Sequence, residues 1–268
     1  MRKLIAADID GTLINSKNQV TEETVHWVQK AKEKGCSITL LSARAYPLMK
    51  RVMEALGLDE CYAAANSGGD LRRWPSDERL YTEGITAEQV KDIQRFADEH
   101  DLYVQAVRAD GEYYYSKWSE HTGFYEEYFH YTGEKADMTC LPFDDIVKCM
   151  LFMEPERTEH VISLLEKEFE GRGLRYERIW PTIVDVLPDT SNKGTAVKKL
   201  AEILGIPRED IISFGDELVD VPMFKESGTG VAMGNASDRV KAEADAVTLT
   251  NEENGVAHYL KEMLEREE

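Results

Sequence analysis

The sequence predicts an α/β protein: a doubly wound parallel sheet with an α+β unit inserted into it. Three observations carry that prediction. Short apolar runs alternate with amphipathic stretches over residues 3–66. The same alternation returns after LPDTSNKG, near residue 188. Between those segments the rhythm changes, and most of the tyrosines gather there. Strands alternating with helices imply a parallel sheet covered on both faces.

KLIAADI (residues 3–9) is a short apolar run that reads as a fully buried strand. TEETVHWVQKAKEK follows, with Val25, Val28 and Ala31 at helical spacing, Thr21 as N-cap and Gly35 as stop. SITLLSA is a second strand, YPLMKRVMEALGL a second helix ending near Gly57, and CYAAAN a third strand. The insert begins with a helix, AEQVKDIQRFADEH, and continues with the aromatic β-rich stretches LYVQAV and EYYYS. A helix near TEHVISLLEKEF and the strands RYERIW and TIVDVL complete it. The YYY run and Trp180 are expected in its core. After the insert come helix KGTAVKKLAEILG, strand DIISFGD, short helix VPMFKES, strand TGVAM, helix SDRVKAEA, strand DAVTLT and helix NGVAHYLKEMLERE. The expected bounds are 1–81 and 188–268 for the sheet domain and 82–187 for the insert.

A chain of 268 residues holds one large domain or two smaller ones. Its formal net charge of -19 argues against nucleic-acid binding, which needs basic surface. The same charge repels anions, so an anionic substrate must be received by a local positive site. The first apolar run is broken by Asp8, short of the roughly 7–15 residues of a signal h-region. No segment reaches the ~18 apolar residues of a membrane span. Cys36, Cys61, Cys140 and Cys149 show no CxxC spacing and read as buried thiols in a reducing compartment. A cytoplasmic setting is therefore expected. The sequence leaves the oligomeric state open.

In a sheet of this kind, ligands bind at the carboxyl ends of the strands. Asp8 and Asp10 follow the first strand, Ser42-Ala43-Arg44 the second, and Asn66-Ser67-Gly68-Gly69 the third. Gly215-Asp216-Glu217, with Asp220 close behind, follows the ISF strand, and Lys193 opens a helix. Two carboxylates as close as Asp8 and Asp10 raise the cost of ionising each other, and a metal ion, a partner lysine or a reaction must offset that cost. Three aspartates, a lysine and a hydroxyl at one sheet edge make a site for a hard cation plus a phosphate. Mg²⁺ prefers a few carboxylates and keeps room for substrate oxygens.

DIDGTL, LLSAR, the lysine of NKG and FGDELVD resemble the four ordered motifs of the haloacid dehalogenase (HAD) superfamily. The insert and the tail GVAMGNASDRVKAEADAVTLTNEENGV are similar to its Cof-type phosphatases, and the resemblance covers nearly the whole chain. It implies a Rossmann-like core with an inserted C2-type cap that sets substrate specificity. It also implies a Mg²⁺-dependent phosphatase acting on small phosphorylated metabolites, sugar-phosphate-like, through an aspartyl-phosphate. Asp8 is then the nucleophile, and Asp10 the acid that protonates the leaving group and the base that activates water. Asp8, the Asp10 backbone carbonyl and Asp216 would hold Mg²⁺. Ser42, the Ala43 N–H and Lys193 would hold the phosphate oxygens, Gly11 would permit the tight turn, and Thr12 would fix the loop.

Two positions depart from the family pattern. Ala43 stands where glycine is usual, and Val219 where an asparagine often helps hold the phosphate. Several residues keep two readings. Ser42 holds phosphate or caps a turn. Asn66 lines the cleft or forms a turn. Asp220 touches the metal or orients its loop. Glu217 is a water-mediated metal neighbour or a surface acid. Arg44 completes the second motif. Two other functions stay open: a sugar phosphomutase, and a phosphometabolite-binding protein of weak turnover, the latter suggested by Val219.

Overall fold

The computed structural model describes residues 2–141 and 145–266. Two compact units form: Met1–Arg44, Met49–Tyr81 and Asn192–Glu268 make the first, and Ala45–Leu48 with Thr82–Ser191 the second. The first unit thus resumes at Asn192 rather than at residue 188, and the start of one helix joins the second unit.

The first unit opens with β1 (Leu4–Asp8), α1 (Glu22–Glu33), β2 (Ser37–Leu41), α2 (Tyr46–Ala55) and β3 (Cys61–Ala65). β1 and β3 are buried at every position, as strands covered on both faces must be. Thr21 caps α1 by accepting the Thr24 N–H at 3.2 Å, while Glu22 and Glu23 in the first turn and Lys30 and Lys32 in the last complement its dipole. Val28 and Ala31 are buried on its inner face, whereas Val25 is half-buried. Two strands absent from the sequence expectation follow, β4 (Asp70–Trp74) and β5 (Glu78–Thr82). β4 runs antiparallel to β3.

The second unit holds α3 (Ala87–Glu99), β6 (Tyr103–Arg108), β7 (Tyr113–Tyr115), α4 (Glu120–Phe129), β8 (Glu134–Lys135), β9 (Ile146–Phe152), α5 (Thr158–Glu168), β10 (Leu174–Trp180) and β11 (Ile183–Pro188). Its sheet has the order β10-β11-β9-β6-β7-β8 and is antiparallel up to β7. The strands alternate between two apolar sets. Val104, Ala106, Cys149, Leu151, Val184 and Val186 pack with residues of α3 and α5. Val107, Met150, Phe152 and Ile183 pack with Tyr113 and Tyr125. Trp180 joins an aromatic cluster with Phe124, Tyr125, Tyr128 and Phe129 of α4. The sequence expectation omitted α4, β8 and β9. It also took all four cysteines as buried, but Cys140 is exposed.

The first unit then continues with α6 (Lys193–Leu204), β12 (Ile211–Gly215), α7 (Val221–Lys225), β13 (Thr229–Ala232), α8 (Asp238–Lys241), β14 (Ala246–Val247) and α9 (Gly255–Arg266). α8 and β14 are shorter than the expected SDRVKAEA and DAVTLT. The sheet order is β14-β13-β12-β1-β2-β3-β4-β5, and every pair from β14 to β3 is parallel. From β1 the chain proceeds outward to β2 and β3, and later to β12 and β13 on the other side. The order therefore reverses at β1, the place where ligands bind in such sheets. The register puts Ala7 beside Phe214 and Asp8 beside Leu41, so three strand ends deliver their following residues to one edge.

Candidate active site

Asp8 is the last residue of β1 and is buried. Lys193, the first residue of α6, is buried too. Its Nζ donates to Asp8 Oδ1 at 2.5 Å and to Asp220 Oδ1 at 2.5 Å. The lysine is held there by its helix start. Asn192 Oδ1 accepts the Thr195 N–H at 3.0 Å, and Thr195 Oγ1 accepts the Asn192 N–H at 2.9 Å. Asp216 follows β12. The Thr12 hydroxyl donates to its Oδ1 at 3.0 Å. Gly11, at φ +77°, lies so close that a Cβ there would collide with the Asp216 carboxylate.

Asp220 has its oxygens occupied. Lys193 takes Oδ1, and the backbone N–H groups of Asp216 and Glu217 both donate to Oδ2 at 3.0 Å. Of its two readings, these bonds favour orienting the loop and the lysine. Glu217 is exposed and caps the short turn Leu218–Asp220. It stands outside the carboxylate cluster. Val219 is half-buried within the same turn.

Asp10 points elsewhere. Arg44 donates to it through a two-pronged fork, Nε to Oδ2 at 3.0 Å and Nη2 to Oδ1 at 2.5 Å. The arginine side chain is 8% exposed and the aspartate 50%, so the fork rises from a buried base to an open carboxylate. Ser42 Oγ accepts the Arg44 N–H at 3.1 Å and so caps the 42–44 turn around Ala43. A hydroxyl that accepts in this way keeps its own proton to donate. The Asn66 N–H donates to the Arg44 carbonyl at 2.8 Å and the Ser67 N–H to the Ser42 carbonyl at 2.9 Å. Asn66 and Ser67 are both left-handed, at φ 50° and 53°. They thus serve as a buried turn bracing residues 42–44, and the Asn66 side chain has no hydrogen-bond partner among the described residues.

Burial pushes the Asp8 carboxyl well above the usual range; Lys193 opposes this, while Asp220, Asp216 and Asp10 add to it. Burial likewise pushes Asp216 up to about 7, reinforced by Asp220 and opposed by the Thr12 hydrogen bond. Burial alone would pull Lys193 down, but Asp220 and Asp8 hold its ammonium above the ordinary lysine range. The group is a set of crowded anions needing more positive charge than one lysine supplies. An oxygen of each of Asp8, Asp216 and Asp220 lies within 4.8 Å of the others. Hard oxygen donors so arranged fit Mg²⁺. With Asp220 engaged by Lys193 and two amides, Asp8 and Asp216 are the carboxylates left to hold an ion.

One residue of this site was missed by the sequence reasoning. Asn235 Nδ2 donates to the Gly11 carbonyl at 2.9 Å and to Asp216 Oδ2 at 3.3 Å. The signal available was its place in GVAMGNAS, three residues after the end of β13.

The sequence profile of the haloacid dehalogenase-like hydrolases matches residues 5–260. The chain belongs to that family. Phosphatase YwpJ of Bacillus subtilis (strain 168) is 30% identical, over 98% of this chain and 100% of that protein. A 5-amino-6-(5-phospho-D-ribitylamino)uracil phosphatase, YitU, of the same strain is 27% identical over 97% of this chain and 96% of its own length. The crystal structure of a haloacid dehalogenase-like hydrolase from Bacteroides thetaiotaomicron superposes with a TM-score of 0.87 at 27% identity, covering 98% of this chain and 100% of that one. This HAD-like hydrolase is accordingly an enzyme of the phosphoric monoester hydrolase type. Among the described residues no helix is long and apolar enough to cross a membrane.

Proposed function

We propose that the chain hydrolyses small phosphorylated metabolites, sugar-phosphate-like, with Mg²⁺ and through an aspartyl-phosphate on Asp8. The observation that carries this reading is Lys193 bridging Asp8 and Asp220 beside Asp216 at the reversal point of the sheet. A relative named for a phosphorylated ribitylamino-uracil supports a small phosphometabolite as substrate.

In this mechanism an Asp8 oxygen attacks phosphorus as the bond to the leaving oxygen breaks, and Asp10 gives that oxygen its proton. Asp10, now a carboxylate, takes a proton from water. The water oxygen attacks phosphorus, the bond to Asp8 breaks, and inorganic phosphate leaves. Arg44 offsets the Asp10 charge while it is a carboxylate, and Asp10 turns from that fork to reach the leaving oxygen. Lys193 orients Asp8 and, with Ser42 and the Ala43 N–H, binds phosphate oxygens. Asp8, the Asp10 carbonyl and Asp216 would hold Mg²⁺, which supplies positive charge against the phosphoryl oxygens. The inserted unit is the part of the chain to which we assign substrate selectivity.

A phosphate-release screen over a panel of phosphorylated metabolites tests this function. Release from a sugar phosphate or related small ester with Mg²⁺, and none with chelator, is the expected result. Conversion of a sugar phosphate to its isomer without phosphate release would replace it with a mutase. Tight binding with neither reaction would replace it with a binding protein.

A further inference from the structure

Asp216 is held at both of its oxygens. Thr12 donates to Oδ1 at 3.0 Å and Asn235 to Oδ2 at 3.3 Å. The Asn235 amide also reaches the Gly11 carbonyl at 2.9 Å, so one NH₂ group spans the loop after β1 and the loop after β12. Its orientation is set from the other side, because Asn235 Oδ1 accepts the Asn251 N–H at 3.0 Å. With the oxygen facing a donor, the nitrogen faces the two acceptors. Asn251 then donates its own Nδ2 to the Ile14 carbonyl at 2.9 Å, and Glu252 accepts the Ser16 N–H at 2.5 Å. Residues 235 and 251–252 therefore grip the 11–16 loop from outside and clamp Asp216 against it.

Thr12 alone fixes one oxygen and leaves the carboxylate plane free to turn. A second donor on the other oxygen removes that freedom. We infer that Asn235 is a positioning residue for the metal-holding carboxylate Asp216, and that Asn251 sets Asn235. The inference rests on the Mg²⁺ reading proposed above and deepens it. Partners of this kind, one shell out from a ligand, typically account for about 10–100-fold in metal affinity. A purely structural role for Asn235 makes a different prediction. Loss of the loop contacts would then lower stability to the same extent with and without metal, and leave the affinity for metal unchanged.

Mg²⁺ titrations on the full chain without substrate separate the two. Heat of binding and the Mg²⁺-dependent rise in Tm are read for the unaltered protein, Asn235→Ala and Asn251→Pro, with the Mg²⁺ dependence of turnover as a third readout. The expected result is Mg²⁺ binding about 10–100-fold weaker in Asn235→Ala, with kcat at saturating Mg²⁺ falling much less. Asn251→Pro removes the N–H that meets Asn235 Oδ1, at the first position of the Asn251–Glu253 turn, where proline is tolerated. It touches neither Asp216 nor Gly11, weakens binding by a smaller factor and keeps the test alive if the first variant does not fold. Wild-type affinity in either folded variant overturns the corresponding part of the inference. Failure of the unaltered protein to bind Mg²⁺ overturns the metal reading itself, and the inference with it.

Discussion

The Lys193 ammonium lies 2.5 Å from Asp8 Oδ1, and both side chains are buried. The lysine comes from a helix start 185 positions further along the chain, and its second bond ties it to Asp220. This contact answers half of what allows two aspartates to stand at the end of a buried strand; Arg44 on Asp10 answers the other half. The crowding of Asp8, Asp216 and Asp220 that remains invites a further cation.

Replacing Lys193 by Met leaves Asp8 and Asp220 buried without their cation. The metal-free variant is expected to lose about 3–5 kcal/mol of stability. Mg²⁺ should restore part of that loss, because it neutralises the same carboxylates. Denaturant titrations with and without Mg²⁺ check this; an equal loss under both conditions would count against the site as described.

The Asp10–Arg44 fork makes a different prediction. Half of the Asp10 side chain is exposed, so the pair contributes little to folding. Asp10→Asn is expected to shift stability by less than about 1 kcal/mol. It should lower kcat by roughly 10²–10⁴-fold, the usual range for a lost acid/base group. A variant that folds and turns over normally would remove Asp10 from the mechanism.

In the second unit, Lys148 and Asp185 form a fully buried pair at 2.5 Å. Burial pushes the Asp185 carboxyl up to about 6 from its ordinary 3.8, outweighing the pull of Lys148. The folded state thus keeps a proton that the unfolded chain has released. The stability this confers is present at low pH and is lost as pH rises from about 4 to about 6, with a slope approaching ~1.4 kcal/mol per unit. The difference in stability between the unaltered protein and Asp185→Asn should fall across that window and flatten above it. Denaturation curves from about pH 4 to pH 7 measure it. A difference independent of pH would contradict the assignment.

Val219→Asn places an amide where the family often has one. If it reaches the phosphate, kcat/KM for a generic phosphomonoester should rise by up to ~10²-fold. A buried amide that finds no partner would instead cost about 1–3 kcal/mol of stability. Val219→Ala is the reference. An Asn variant no faster than the Ala variant would show that Val219 is not a weakened phosphate ligand.

Most of the site was legible in the sequence because β1, β2, β3 and β12 are buried on both faces. Such strands read as unbroken apolar runs, and the first polar residues after them are the ones that gather at the candidate site. Lys193 was legible by its position after the insert. What was missed has physical causes. β4 and β5 carry Arg72, Arg73, Glu78 and Arg79, charges that mask a strand until Asp70 pairs with Arg72 at 2.8 Å. β9 is buried at all seven positions, but Lys148 interrupts its apolar run, and the neutralising Asp185 lies 37 residues away. Asn235 acts on Gly11, 224 positions earlier, a relationship no local pattern contains.

The central claim is that Asp8 attacks phosphorus. The most direct measurement is turnover of Asp8→Asn on a phosphomonoester with saturating Mg²⁺, with the fold checked by circular dichroism and the amide by mass. An amide keeps the shape of the carboxylate but is a poor nucleophile and metal ligand. A folded protein with no phosphate release above background is the expected result. Near-normal release from folded, undeamidated Asp8→Asn would contradict it.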